Sequence, residues 1–153
     1  MARKMRTTEE KAAEAFNAWA ARYPKAFNYR QVMFENLTRT GFIPVADGRT
    51  IYVRKDDRSL PVAANYGIQG AAASVMYRAM YHVRRLLQQS DIICRICVTV
   101  HDEIILKCRK QYAEAAKLIL QNGMSLGWLD VFPGTSTDNL ADAGIGLAWS
   151  DKK

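Results

Sequence analysis

The chain has little of what marks several large classes of protein. Three cysteines in 153 residues cannot close a disulfide framework, which points to a reducing compartment. Four prolines and nine glycines are too few for a low-complexity chain. No apolar run approaches the ~18–20 residues that cross a bilayer. The basic opening MARKMRTTEEKAAEAF is followed by no apolar stretch of the kind a secretory signal carries. Acidic residues are also scarce: 15 Asp and Glu stand against 22 Lys and Arg, a net charge of +7. The expectation is one soluble, cytoplasmic globular domain, long enough to bury roughly two-thirds of its unfolded surface. Its charge asks for an anionic partner, nucleic acid first, although many small basic proteins bind nothing.

The pattern of what is present predicts alternating helices and hairpins. Thr7-Thr8-Glu9-Glu10 reads as a helix start, with Thr7 as cap and Glu10 as its capping-box partner. Ala12, Ala15, Phe16, Trp19 and Tyr23 then recur at helical spacing up to Pro24. A second helix is predicted over 25–40, with Tyr29, Met33, Phe34 and Leu37 on one side and Gly41 ending it. FIPVADGRTIYV is two β-prone runs around Asp47-Gly48, a tight hairpin. The charged, aperiodic stretch from Arg54 to Pro61 reads as a loop and a boundary between subregions.

A third helix is predicted over 69–89, its apolar stripe formed by Val75, Met76, Ala79, Met80, Val83 and Leu87. IICRICVTV and IILKC make a second hairpin of largely buried arms around His101-Asp102-Glu103. A helix over 111–122 follows, ended by Gly123, and LADAGIGLAW closes the chain as a short strand. The order describes an α+β chain with antiparallel pairing.

His101-Asp102-Glu103 is the most informative feature. Two carboxylates at the tip of an otherwise apolar hairpin need solvent or a cation. Strand alternation would send Asp102 and Glu103 to opposite faces, so one ion is not shared symmetrically. A Mg²⁺ ion in phosphoryl chemistry takes only one or two protein carboxylates, and one of this pair could supply half of a two-metal site. A solvated turn is the simpler reading of the tripeptide taken alone, and both readings stay open at this point. Asn65 and Gln69 share one face if the helix begins near residue 65. Their amides suit the minor-groove acceptors present in every base pair, though a cap followed by a surface Gln would look the same. Cys94-Arg95-Ile96-Cys97 is a CxxC within a strand, with only Cys108 beyond it, so ordinary cysteines are the simpler reading. His82 reads as a polar-face residue.

Together, NYGIQGAAASVMYRAM followed by VTVHDEIIL resembles the C-terminal part of family A DNA polymerases. ARYPKAFNYRQ and GFIPVADGRTIYV are similar to the fingers segment after that family's nucleotide-binding helix. LADAGIGLAW is similar to its last strand and closing tryptophan region, here Trp149. The resemblance runs nearly end to end. It implies partial fingers helices and hairpin over 1–63, then over 64–153 an antiparallel palm sheet packed with helices and carrying the motif C hairpin. It further implies Asp102 as a catalytic Mg²⁺ ligand and Glu103 as its supporting carboxylate. His101 would brace the hairpin or touch the primer terminus, and Asn65 and Gln69 would track the minor groove of primer–template DNA. Three positions depart from the family: Gly67 stands where Pro is frequent, Ala71 where Thr is, and Pro61 where a DNA-contacting Arg is common.

The family's other catalytic Asp, in motif A, and its triphosphate-binding helix have no counterpart here. In-line phosphoryl transfer needs carboxylates from both motifs, so this chain alone is expected to be inactive. With Met1 at its start and an end where the family ends, it is expected to be the C-terminal subunit of a split polymerase using dNTP and Mg²⁺. A larger chain would complete it. The alternatives are a non-catalytic duplex DNA-binding module derived from a palm, or a degenerate or engineered fragment. Glu103 tilts the reading toward DNA synthesis, since related single-chain RNA polymerases more often have Ser there.

Overall fold

The computed structural model describes residues 8–151 as an α+β chain. Two compact units divide it, one from residues up to Pro44 with Thr50–Gly67, the other from Val45–Arg49 with residues from Ile68 onward.

In the first unit, helix α1 spans Glu9–Arg22 and α2 spans Pro24–Thr40. Thr8 caps α1, its hydroxyl accepting the Lys11 amide at 3.4 Å, and Glu9 and Glu10 favour the positive N-terminal end of the helix. The predicted Thr7 cap lies outside the described residues. With Thr8 as cap, Lys11 holds the position a capping-box acid would take, so the box is not formed. Pro24 both stops α1 and begins α2, whose first turn has no use for the amide proline lacks. Phe16 of α1 meets Phe27 of α2 edge-on at 6.1 Å, and the Arg30 guanidinium lies 5.7 Å from the Phe16 ring centre.

Gly41 ends α2 at φ 81°, donating its amide to the Leu37 carbonyl at 2.8 Å. Strands β1 (Phe42–Pro44) and β2 (Thr50–Tyr52) follow, pairing Phe42 with Tyr52, Ile43 with Ile51 and Pro44 with Thr50. Met33, Leu37, Ile43, Val53 and Ala63 form this unit's core. Alternation along β1 explains why Ile43 is fully buried while its neighbours are exposed.

The hairpin loop Val45–Arg49 belongs to the second unit. Gly48 donates to the Val45 carbonyl at 3.0 Å and alone in the loop has positive φ, 86°. The Val45 amide donates to the Arg49 carbonyl at 2.8 Å, leaving three residues between them, so the loop is longer than a two-residue turn. Arg49 holds it in place. Its guanidinium pairs with Asp47 at 2.7 Å and donates to the Ser74 hydroxyl and the Gly70 carbonyl of helix α3, Leu60–Gln88. The Ser74 hydroxyl, and then Arg49, hold the Asp47 carboxyl below the usual carboxylate range, against the opposing effect of burial.

Helix α3 begins nine residues before the predicted start, because the stretch after Arg54 is one 3₁₀ turn, Lys55–Asp57, and then helix. Val75, Met76, Ala79, Val83 and Leu87 are buried as the stripe predicts. Helix α4, Ala113–Val131, runs on past Gly123, where an end was expected. A Cβ at Gly127 would stand 2.6 Å from the Ala79 Cα, and one at Gly123 would stand 3.0 Å from the Val83 amide nitrogen. The glycines therefore let α4 lie backbone to backbone on α3, and that packing outweighs their poor helix propensity. His82 and Asp130 pair at 2.8 Å across the same two helices.

The closing segment corrects the sequence-based expectation. Residues 140–146 form no strand, and a 3₁₀ turn at Trp149–Asp151 is the last element. A strand exists only as part of a ladder, and among the described residues no partner pairs with this segment.

Candidate functional site

The His101-Asp102-Glu103 tripeptide sits on the hairpin of β3 (Cys94–Val100) and β4 (Glu103–Cys108). Pairing runs from Cys94 with Cys108 at the open end to Val100 with Glu103 at the tip. His101 and Asp102 are the two turn residues, and His101 takes a φ of 53°, a left-handed conformation uncommon outside glycine. Both are exposed, whereas Glu103 is half-buried as the first residue of β4.

One irregularity controls the faces of this hairpin. Register slips between Ile96, which pairs with Leu106, and Val98, which pairs with Ile105. Cys97 is thus the extra residue of a β-bulge, and side-chain phase on β3 inverts beyond it. Ile96, Ile104 and Leu106 pack on Met76, Ala79 and Met80 of α3 and on Leu120 and Met124 of α4. Val98, by contrast, is 44% exposed. The expected buried arms are therefore half-buried: of the two strands only Ile104 is fully enclosed, since the helices cover one face. Glu103 alternates with Ile104 and faces away from that core. Asp102 lies in the turn, where strand alternation does not set its direction.

Asn65 and Gln69 are exposed, four residues apart on α3, and so share a helix face. Gly67 between them is buried, and a Cβ there would come within 2.9 Å of the Met33 methyl. The Tyr29 hydroxyl would be nearer still, so a side chain here would require Tyr29 and Met33 to shift. Among the described residues, no three His, Cys, Asp or Glu side chains gather as a metal cluster. Of the CxxC cysteines, Cys94 is half-buried opposite Cys108, and Cys97 is exposed at the bulge. His82 finds a partner in Asp130, which its place on the helix could not reveal. Reasoning from sequence also missed the Arg49–Asp47–Ser74 network, whose only signal was a basic residue next to a predicted turn. No helix is long and apolar enough to cross a membrane among the described residues.

This architecture has a counterpart among solved structures. The POL domain of Pol1 from M. smegmatis, in complex with DNA primer-template and dNTP, superposes with a TM-score of 0.75 over 85% of this chain. Identity is 22%, and the match takes in 24% of that domain's chain. The fold is that of part of a polymerase domain. The family model for DNA polymerase family A matches residues 1–150, and the chain belongs to that family. DNA polymerase I of Pseudomonas aeruginosa is 30% identical over 94% of this chain, and that of Caldicellulosiruptor bescii is 28% identical over 81%. The chain spans 16% of the length of each.

Proposed function

We propose that this chain is the C-terminal part of a DNA-directed DNA polymerase, with residues 1–63 the end of the fingers and 64–153 a portion of the palm. It would supply the motif C carboxylates and duplex contacts, and be inactive until a larger chain brings motif A and the nucleotide-binding helix. One observation carries the reading: a carboxylate-tipped antiparallel hairpin in a chain matched to the family over residues 1–150. Asp102 stands exposed at the tip, where it can reach a primer end. Glu103 beside it has its strand position fixed by pairing with Val100. The left-handed His101 turns the chain so that both carboxylates follow within two residues.

Mg²⁺ is the ion this chemistry implies, and the donor set fits it in part. Carboxylate oxygens suit a hard ion that keeps several waters and takes only one or two protein carboxylates. Asp102, supported by Glu103, would hold it, and the remaining carboxylate would come from the larger chain. Bound there, the ions would activate the primer 3′-hydroxyl and offset charge on the dNTP phosphates. Asn65 and Gln69 would hold the duplex by minor-groove acceptors, testing its shape without reading sequence. The net charge of +7 favours the phosphate backbone. The reaction would run in a bacterial or phage-infected cytoplasm, a reading the bacterial relatives support.

The test is primer extension by the chain reconstituted with a chain carrying motif A, in Mg²⁺. Loss of about 4 kcal/mol of transition-state stabilisation corresponds to about 10³-fold in rate. Asp102→Ala is expected to lower extension by that order while primer–template binding is kept. Unchanged extension would mean Asp102 is idle and the chain a duplex-binding module.

A further inference from the structure

The three thiols are not equivalent in space. Cys94 and Cys108 are Cα partners at the open end of the β3–β4 hairpin, both half-buried and both free thiols. Directly opposed residues of an antiparallel pair lie about 4.5 or 5.5 Å apart at Cα, depending on their hydrogen-bonding position. Disulfides accept Cα separations of about 4.4–6.8 Å, so either position falls within reach. Cys97 stands apart as the unpaired, exposed bulge residue. Only two sulfurs converge, short of the four ligands a structural zinc takes.

We propose that Cys94 and Cys108 are a reversible redox pair, oxidised by a small disulfide such as oxidised glutathione to an intrachain bond that clasps the base of the hairpin bearing Asp102. The proposal rests on strand register and not on the polymerase reading. The Cys108 thiolate attacks one sulfur of oxidised glutathione, forming a mixed disulfide and expelling one glutathione thiolate. Cys94, as its thiolate, then attacks the Cys108 sulfur and expels the second. The two protein thiols lose two electrons to the oxidant, and their protons pass to the departing thiolates, giving two glutathiones. Entry at Cys108 follows from its surroundings. Lys107 and Arg109 flank it and attract an anionic tripeptide, while burial and the neighbouring Cys108 sulfur raise the Cys94 thiol above its ordinary range. Reduced glutathione reverses the bond by the same exchange run backwards.

Trypsin separates all three cysteines, because Arg95, Lys107 and Arg109 each follow one of them. The full chain is equilibrated with a mixture of oxidised and reduced glutathione, remaining thiols are trapped with N-ethylmaleimide, and the unreduced digest is analysed by mass spectrometry. The expected product joins residues 86–95 to Cys108-Arg109, with Cys97 alkylated. Cys97→Ser is expected to leave that product unchanged and Cys94→Ser to abolish it. A urea-unfolded sample supplies the mixture of pairings that arises without strand register. The proposal is overturned if the folded chain gives that same mixture, a Cys94–Cys97 link or disulfide-linked dimers. It is equally overturned if the folded chain stays fully alkylated where the unfolded one oxidises.

Discussion

Replacing Gly127 by alanine is the sharpest test of how α3 and α4 are packed, because two effects of opposite sign compete there. Alanine is favoured over glycine in a helix interior by about 1 kcal/mol. Against that, the added Cβ would stand 2.6 Å from the Ala79 Cα and 2.8 Å from its Cβ, where carbon atoms prefer about 3.5–4.0 Å. The obstacle is backbone, so no side-chain rotation relieves it, and the helices must separate by about 1 Å. Such a gap forfeits a quarter to a half of the contact energy of the atoms lining it. Those contacts include Met76, Leu120 and Met124 around Ile104. Overpacking costs about 1–3 kcal/mol where neighbours can adjust, and somewhat more where they cannot. The net expectation for Gly127→Ala is a loss of about 2–3 kcal/mol, or a Tm lower by about 5–10 °C for a chain of this size. Gly123→Ala should cost less, since its nearest obstacle is a Val83 methyl and the backbone atoms stand off at 3.0 and 3.1 Å. Urea unfolding followed by circular dichroism measures both. A Gly127→Ala protein as stable as the parent, or more stable, would show that helix propensity wins and that the two backbones do not touch there.

Two further predictions follow from the turns. His101 holds a φ of 53°, a strain of about 1 kcal/mol for a residue with a Cβ. His101→Gly should therefore be neutral or stabilising by up to about 1 kcal/mol, and the β-branched His101→Val destabilising by about 1–2 kcal/mol. Equal stabilities of the two variants in a urea titration would contradict the assigned backbone. Asp47 is held below its usual range by Ser74 and Arg49, so its folded-state value is the depressed one. Its contribution is complete above the unfolded carboxylate pKa of about 4 and is lost as pH falls through the lower folded value. Asp47→Asn should flatten stability against pH in that acid window and leave the neutral-pH slope unchanged. Parallel curves for parent and variant would remove the network from the account.

Some of this protein was decided locally and is legible in one dimension. Pro24 and Gly41 bound α2 because a missing amide and a freely left-handed backbone act on their own residue, whatever the rest of the chain does. The stripe from Val75 to Leu87 and the polar tripeptide between two β-prone runs were likewise visible, since periodicity and polarity are properties of consecutive side chains. The family could be recognised from the order of such segments. Other features depend on partners distant in the chain. Gly123 ends a helix by its own preference and continues one here because Val83 lies against it. Residues 140–146 alternate like a strand but form none, since a ladder requires a second strand. The bulge at Cys97 turns Val98 outward, and register alone makes Cys94 and Cys108 neighbours across fourteen positions of sequence. Local sequence determined where elements start, stop and change character. Tertiary packing decided which of those tendencies were overruled, because a backbone contact or a strand pairing is worth as much as the intrinsic preference it opposes.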